Sequence, residues 1–198
     1  GGNTSVKENG VLWIKASGCW LSDAIEHSIF VPVDNAKVLS SIKTGDVSNI
    51  PVNNEQYLDD LSLRPSIETA LHALMPHKFV LHVHAVNTLS IAVLSNGKKY
   101  TEKLLQDVNW VWIPYIMPGI KLAEAVQCAM RENPDVIVLA NHGLVVGAET
   151  AQRALILLKL VENKMKREVR KIVKVDNERL LSAISKSEYR TPKYETIN

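Results

Sequence analysis

The sequence has few cysteines, few aromatic residues and no apolar run longer than a strand. Its two cysteines, Cys19 and Cys128, are far apart, which excludes the short C-x-x-C spacing of zinc and redox motifs. With no secretory or transmembrane-length segment, both thiols are expected to be free in a reducing cytoplasm. We therefore predict a cytoplasmic protein that makes no contact with a membrane.

An excess of charge of one sign is also missing. The formal net charge of +2 gives no reason to expect a nucleic-acid-binding surface. The basic cluster at residues 164–171 is interleaved with Glu162 and Glu168, and we interpret it as a solvated helix face. The chain has 198 residues, of which 46% are hydrophobic, and this predicts one globular domain with a sizeable core over residues 1–198.

Strand-like and helix-like segments alternate along the chain. Residues 3–7 and 11–16 have the pattern of two strands joined by the hairpin turn Glu8-Asn9-Gly10. Pro65 is expected to open a helix, and the longest helix is expected from Glu149 to about residue 173. Because some strands pair locally, the pattern predicts a three-layer α/β/α domain with a mixed or antiparallel sheet.

Two histidines occupy an apolar, strand-prone run at residues 79–87. Alternate side chains of a strand share a face, so His82 and His84 are expected on the same side, ~7 Å apart at the backbone. Imidazole is the commonest protein ligand for transition metals, and a catalytic site needs a third ligand. His142 is the best candidate, because it follows a buried-type strand and precedes Gly143, where a ligand can approach the backbone closely.

Glu68 has two possible roles. An acidic residue in the first turn of a helix interacts favourably with the helix dipole, and this role would be structural. The apolar residues nearby, however, repeat at helical spacing and are expected to face the core: they are Ile67, Ala70, Leu71 and Leu74. Glu68 then projects from another side of the helix and is free to enter a cleft as a base or a fourth ligand. His72 follows one turn later and can pair with Glu68, although we expect it to be structural.

Small polar residues near turns form a third group. Hydroxyl groups and backbone N–H groups of such residues can bind an anion, although turns commonly contain the same residue types. The group consists of Asn3, Ser5, Ser17, Gly18 and Ser66.

Together these residues resemble the class II aldolase/adducin family, which includes fuculose-phosphate and rhamnulose-phosphate aldolases. The chain looks most like aldolase domains that some bacteria fuse to a dehydrogenase domain. Five motifs in the family's order, spanning roughly residues 2–160, carry the resemblance. They are Gly2-Asn3-Thr4-Ser5-Val6-Lys7, Ile14-Lys15-Ala16-Ser17-Gly18, Pro65-Ser66-Ile67-Glu68, His82-Val83-His84-Ala85 and Asn141-His142-Gly143-Leu144.

The resemblance implies a metal-dependent aldolase that cleaves a ketose or ketose 1-phosphate through a metal-stabilised enediolate. It implies a divalent ion, usually Zn²⁺, held by His82, His84 and His142. Glu68 is then the acid/base group and also touches the metal when substrate is absent. The other members of the same scaffold, namely epimerases, dehydratases and decarboxylases, remain alternatives, as does a non-catalytic scaffold like the adducin head, which lacks the metal-binding histidines. A zinc hydrolase explains the histidines but not the Gly-Asn and Ser-Gly segments.

The resemblance also implies how substrate and subunits are held. Asn3, Ser17, Gly18 and Ser66 are expected to line the pocket for a substrate phosphate. The family fold is an α/β/α sandwich with a mixed, largely antiparallel sheet, usually assembled as a homotetramer with active sites at subunit interfaces. The expected partners are therefore a small sugar or sugar phosphate and other copies of the chain.

Three features depart from the family pattern. Ile67 stands where phosphate-using aldolases carry a second serine, so one contact to the phosphate is lost. Lys7 and Lys15 are the candidates to replace this contact. The family's N-terminal helix is not found before the Gly-Asn motif, and the position of a proton-donating tyrosine falls near Lys103. Candidate replacements for that tyrosine are Tyr100, Tyr115, Tyr189 and Tyr194.

Overall fold

Seven strands of the computed structural model form one sheet that organises the fold. The structure describes residues 2–45, 52, 62–167 and 182. The sheet has the order β3-β2-β1-β4-β7-β6-β5, and every neighbouring pair is antiparallel except β5 and β6. The strands are β1 Asn3–Glu8, β2 Val11–Lys15, β3 Phe30–Asp34, β4 Phe79–Val83, β5 Trp110–Ile113, β6 Val136–Leu139 and β7 Gly143–Ala148.

Helices cover both faces of this sheet. In the described residues they are α1 Asn35–Thr44, α2 Thr69–Leu74, α3 Val86–Ala92, α4 Gly97–Leu104, α5 Ile120–Ala129 and α6 Ala151–Lys164. Helices α1, α2 and α5 pack on one face, and α3, α4 and α6 pack on the other. The predicted three-layer α/β/α sandwich with a mixed, largely antiparallel sheet is confirmed. Within the described residues, each helix is too short or too polar to traverse a lipid bilayer.

The continuous apolar run of β6 follows from this layering. Ile137 and Leu139 face the layer of α2 and α5, whereas Val136 and Val138 face the layer of α3 and α6. All four side chains are buried, as expected for a central strand with helices on both sides. The turn that contains His142 follows this buried strand, because β6 ends at Leu139 and β7 begins at Gly143.

The predicted hairpin between β1 and β2 is confirmed. Asn9 and Gly10 have φ angles of 51° and 80°, the positive values that a two-residue turn of this kind requires at both positions. The hairpin leaves β1 between β2 and β4, and the register there sets Asn3 opposite His82. One short turn near the start of the chain thus delivers Asn3 to the histidine strand.

Helix α2 begins later than the sequence predicts. Pro65 forms an isolated bridge with Ala16, and Ser66 begins a turn in which its hydroxyl accepts from the Glu68 N–H at 3.2 Å. The helix starts only at Thr69, and Ile67, predicted to face the core, is 71% exposed. The helical repeat was therefore extended one turn too far, because the Pro-Ser pair forms a turn here.

Helix α6 ends earlier than predicted. Thr150 caps its start by accepting from the Arg153 N–H at 3.2 Å, and the helix stops at Lys164, before the expected end near residue 173. Residues 168–173 lie outside the described residues. The prediction of one domain over residues 1–198 stays a prediction for the same reason.

Candidate metal centre and active-site cavity

The histidine pair lies at the end of a central strand. His82 is the fourth residue of β4, is fully buried and is flanked by Asn3 of β1 and Val145 of β7. His84 follows the strand directly and is exposed. Their ring centroids are 5.2 Å apart, so the two-residue spacing sets both imidazoles on one side, as the alternation of a strand requires.

His142 joins the pair because the next turn contains a glycine. A Cβ atom at Gly143 would lie 2.7 Å from the Val83 carbonyl oxygen and 3.0 Å from the His82 ring, so a larger residue would push β7 away from β4. With glycine there, the His142 ring centroid is 5.0 Å from that of His82 and 5.5 Å from that of His84. One potential ligand atom from each of the three histidines lies within 4.8 Å of the others.

The Glu68 carboxylate lies beside His82 and His142. Its Oε1 atom is 3.0 Å from His142 Nε2 and 3.4 Å from His82 Nε2. Its Oε2 atom accepts from the Asn3 amide at 2.6 Å. The carboxylate is buried just before the first turn of α2, and this fixed contact with Asn3 orients it toward the imidazoles.

The electrostatics favour neutral imidazoles and an ionised carboxylate. Burial, followed by the neighbouring His142 and His84, lowers the pKa of His82 to about 4, although Glu68 opposes this shift. Burial and His142 also lower the pKa of His84. Burial raises the pKa of Glu68, but His142 and His82 outweigh it, and the pKa lies below its ordinary value. The lone pairs of His82 and His84 are thus available at neutral pH.

These residues fit a divalent metal ion. His82 Nδ1 lies 3.2 Å from the Leu144 carbonyl oxygen, a contact that orients the ring, and its buried Nε2 makes no hydrogen bond to the residues that the structure describes. A metal-binding histidine is commonly held in this way through its other nitrogen. Three imidazoles with a carboxylate alongside are a donor set that suits Zn²⁺ and related ions.

A cavity of about 570 Å³ opens beside His82. Four of its lining residues are the ones that the sequence predicts to hold a substrate phosphate: Asn3, Ser17, Gly18 and Ser66. Much of the remaining wall is apolar and includes Trp20, Leu21, Leu155 and Leu158. The structure therefore brings the expected substrate residues together next to one histidine, and their binding roles stay predictions.

The fold explains why two distant polar segments meet at this cavity. Ala16 pairs with Pro65, and the Ser17 N–H donates to the Arg64 carbonyl at 2.9 Å. These contacts join the turn after β2 to the segment before α2, so Ser17 and Ser66 line the same space. Gly18 has a φ of 81°, a conformation that favours glycine.

The ammonium groups of Lys7 and Lys15, the two lysines considered as phosphate partners, both donate hydrogen bonds to backbone carbonyls. Lys15 lines the cavity, but its Nζ donates to the carbonyls of Ala16 at 2.8 Å and Cys19 at 2.7 Å. Lys7 donates to two backbone carbonyls at the end of α2, and burial lowers its pKa to about 8. Of the candidate tyrosines, Tyr100 and Tyr115 are exposed and lie outside the cavity lining, and Tyr189 and Tyr194 lie outside the described residues.

The sequence did not predict the buried contact between Ser5 and His72. His72 is fully buried, and its Nδ1 lies 2.8 Å from the Ser5 hydroxyl rather than pairing with Glu68. Burial, together with the nearby His82 and Lys7, lowers the pKa of His72 to about 3. The only sequence signal for this contact is that Ser5 and Asn3 alternate along one strand, so both share the face on which α2 lies.

This pair predicts acid sensitivity in metal-free protein. His72 is neutral in the folded state down to about pH 3, whereas the unfolded chain takes up this proton below about pH 6.5. The unfolded state therefore gains protons first, and stability falls as the pH drops from about 6.5 toward 3. We expect His72 alone to remove about 2 kcal/mol of the free energy of unfolding between pH 7 and pH 5.

Urea unfolding at both pH values in the presence of a chelator measures this loss. His72→Gln keeps a hydrogen-bonding group but cannot titrate, so its loss should be smaller by about 2 kcal/mol. An equal loss in both proteins would show that His72 is not responsible.

The comparison with known families agrees with the geometry. Residues 1–169 match the family model described as the class II aldolase and adducin N-terminal domain. The chain belongs to this family. The resemblance inferred from the five sequence motifs is confirmed, and class II aldolases typically use a divalent metal, for which the three histidines are suited.

Individual relatives extend this finding. An uncharacterized oxidoreductase of Bacillus subtilis, YuxG, is 32% identical over 165 residues, which cover 77% of this chain and 24% of that protein. The chain thus spans about a quarter of the length of this curated relative. The N-terminal class II aldolase domain of a conserved Thermoplasma acidophilum protein is 31% identical with a TM-score of 0.69, covering 83% of this chain and 82% of that one. An L-fuculose 1-phosphate aldolase shares the fold at 21% identity and a TM-score of 0.58, covering 93% and 85%.

Proposed function

We propose that this class II aldolase family member is a lyase that cleaves a ketose or ketose 1-phosphate between carbons 3 and 4. The observation that supports this most directly is the position of Glu68. One of its oxygens faces His82 and His142, and the other is held by Asn3 at 2.6 Å. A buried, oriented carboxylate beside a three-histidine cluster and a cavity is suited to moving a proton during metal-assisted carbon–carbon cleavage.

The metal ligands in this proposal are His82, His84 and His142, and Zn²⁺ is the proposed ion. When bound, a divalent ion supplies Lewis-acid stabilisation of the negative charge that develops on substrate oxygens. His82 and His84 are suited to this because their pKa values are lowered, and the Leu144 carbonyl holds the His82 ring through its Nδ1.

The remaining roles belong to groups of the chain itself. During cleavage the carbon 4 hydroxyl loses its proton to solvent and becomes the aldehyde carbonyl. The electron pair of the broken bond stays with carbon 3, which then takes up a proton, and Glu68 is the group that we assign to this proton transfer. Asn3 holds the carboxylate in one orientation in the absence of substrate. We assign the substrate phosphate to four residues that line the cavity and carry neutral N–H and O–H groups, namely Asn3, Ser17, Gly18 and Ser66.

A substrate panel tests the proposal. Protein loaded with Zn²⁺ is incubated with pentulose and hexulose 1-phosphates and with the matching unphosphorylated ketoses, and the products are identified by mass and by carbonyl detection. We expect an aldehyde together with a three-carbon hydroxyketone or its phosphate. An isomer of unchanged mass would indicate an epimerase, and loss of water would indicate a dehydratase. A decarboxylase would bind the metal but leave these substrates unchanged, because they carry no carboxyl group.

A protein that neither binds a metal nor converts any member of the panel would instead be a scaffold of the adducin type. Glu68→Gln, assayed in parallel, shows whether any conversion depends on the proposed site.

We also propose a homo-oligomer, and we take the tetramer from the resemblance to the family. Trp20 and Leu21 are 71% and 54% exposed, Leu155 is 49% exposed, and all three line the cavity. Large apolar side chains gathered beside a site are typical of an interaction surface. Light scattering after size-exclusion chromatography measures the mass, and a monomer at about 50 μM would contradict the proposal.

A further inference from the structure

The contacts of α6 with α3 indicate a role for an acidic residue outside the histidine cluster. We propose that Glu162 of α6 is a positioning residue for the metal centre, acting through α3, which joins the segment of His84 to that of His142. The inference rests on the proposed function insofar as the histidines must bind a metal. It concerns the geometry of that site and does not depend on the substrate.

Glu162 caps the start of α3 from another helix. Its Oε1 atom accepts from the Thr88 N–H at 3.0 Å and from the Thr88 hydroxyl at 2.6 Å. Its Oε2 atom accepts from the Asn87 N–H at 3.3 Å, and the Asn87 side chain donates in return to the Glu162 carbonyl at 3.2 Å. Four hydrogen bonds therefore join one turn of α6 to the first turn of α3.

The first turn of α3 needs these bonds. The first N–H groups of a helix have no partner within the helix, and a side chain at the N-cap usually supplies one. The N-cap of α3 is Ala85, which has no such side chain, and Thr88 is fully buried. A carboxylate at this end also interacts favourably with the helix dipole. Glu162, which precedes the basic cluster interpreted as a solvated helix face, is therefore bonded to α3 through its carboxylate.

Helix α3 connects two of the three proposed metal ligands. His84 is separated from the helix by Ala85 alone, and it is exposed, so its position depends on the backbone that enters α3 rather than on burial. At the other end, the Ala92 carbonyl accepts from the Asn141 N–H at 3.2 Å, next to His142. A shift of α3 would therefore move His84 and disturb the turn that carries His142.

Metal affinity should report this arrangement. Loss of a group that orients a metal ligand typically costs 10–100-fold in affinity, because the ligands must be held within fractions of an ångström. We expect Glu162→Ala to weaken Co²⁺ binding by about 10–100-fold and to change the visible absorption bands of the bound ion. Glu162→Gln keeps an acceptor for Thr88 and should recover most of the affinity and the wild-type spectrum.

A control on the same helix separates positioning from general destabilisation. Lys164→Ala removes the contact of α6 with Asp107, 2.8 Å long, which lies in the loop before β5. Its Co²⁺ affinity and spectrum should equal those of wild type even if its stability is lower. If Glu162→Ala does not fold, Thr88→Val removes the hydroxyl contact alone and should shift the spectrum in the same direction.

The outcomes distinguish the two proposals. Wild type that binds no Co²⁺ or Zn²⁺ would overturn the proposed metal site, and the positioning role with it. Wild type that binds Co²⁺, together with a folded Glu162→Ala variant of unchanged affinity and spectrum, would overturn the role of Glu162 alone. His84→Ala shows how the spectrum changes when a ligand is lost outright.

Discussion

Replacing Glu68 with glutamine is expected to lower turnover by ~10²–10⁴-fold in protein that still binds one metal ion per chain. The substitution conserves shape, and the glutamine oxygen can still accept from the Asn3 amide, whose contact with the carboxylate is 2.6 Å long. What it removes is the ability to carry a proton to and from carbon. A positioned carboxylate typically contributes a rate factor of this size.

The measurement is kcat for the best substrate of the panel, with metal content determined on the same samples. Glu124→Gln is the matched control, because Glu124 is exposed on α5 and its variant should retain wild-type turnover. A Glu68→Gln protein with near-wild-type kcat would contradict the acid/base role. A variant that had lost its metal would show that Glu68 is chiefly a ligand.

Replacing His82 with alanine is expected to abolish stoichiometric metal binding. His82 is the most buried of the three histidines. Its Nε2 has no hydrogen-bond partner among the residues that the structure describes, and it lies 3.4 Å from Glu68 Oε1. Removing a ligand outright should cost more than the 10–100-fold that follows from loss of a group that merely orients one. Protein purified without added metal should contain about one ion per chain in the wild type and almost none in the variant.

Elemental analysis measures the content, and a Zn²⁺ titration gives the affinity. His27→Ala is the control, since His27 is exposed and lies apart from the cluster, so its metal content should not change. Circular dichroism shows whether His82→Ala is folded, because the variant also leaves a cavity in the core. Equal metal content in His82→Ala and wild type would exclude this histidine as a ligand.

Local patterns in the sequence predicted several of these features correctly. Asn9 and Gly10 define the β1–β2 hairpin by their own conformational preferences. The two-residue spacing of His82 and His84 sets both rings on one side of any strand, whatever surrounds it. The apolar run of β6 indicated a strand covered on both faces. Each of these features depends on neighbours in the chain, and five such motifs in order were enough to identify the family.

The contacts of Glu68 depended on tertiary structure. Its partner Asn3 is 65 positions away, and the two meet because α2 lies against β1, where Ser5 also contacts His72. Periodicity extended α2 back to Pro65 and assigned Ile67 to the core, whereas the chain turns at Ser66 and exposes Ile67. The spacing of apolar residues cannot show that the chain forms a non-helical turn at Ser66 before the helix begins at Thr69.

The sequence by itself thus determined the family, the layered sandwich and the three histidines, because motif order and strand alternation are properties of short segments. Only the tertiary structure decided that Ser5 lies against His72, 67 positions away, and that Glu162 caps α3 from 74 positions beyond Thr88. The physical reason is that a buried polar group must find a hydrogen-bond partner wherever the packed layers supply one. That partner is fixed by strand order and helix docking, which no local pattern encodes.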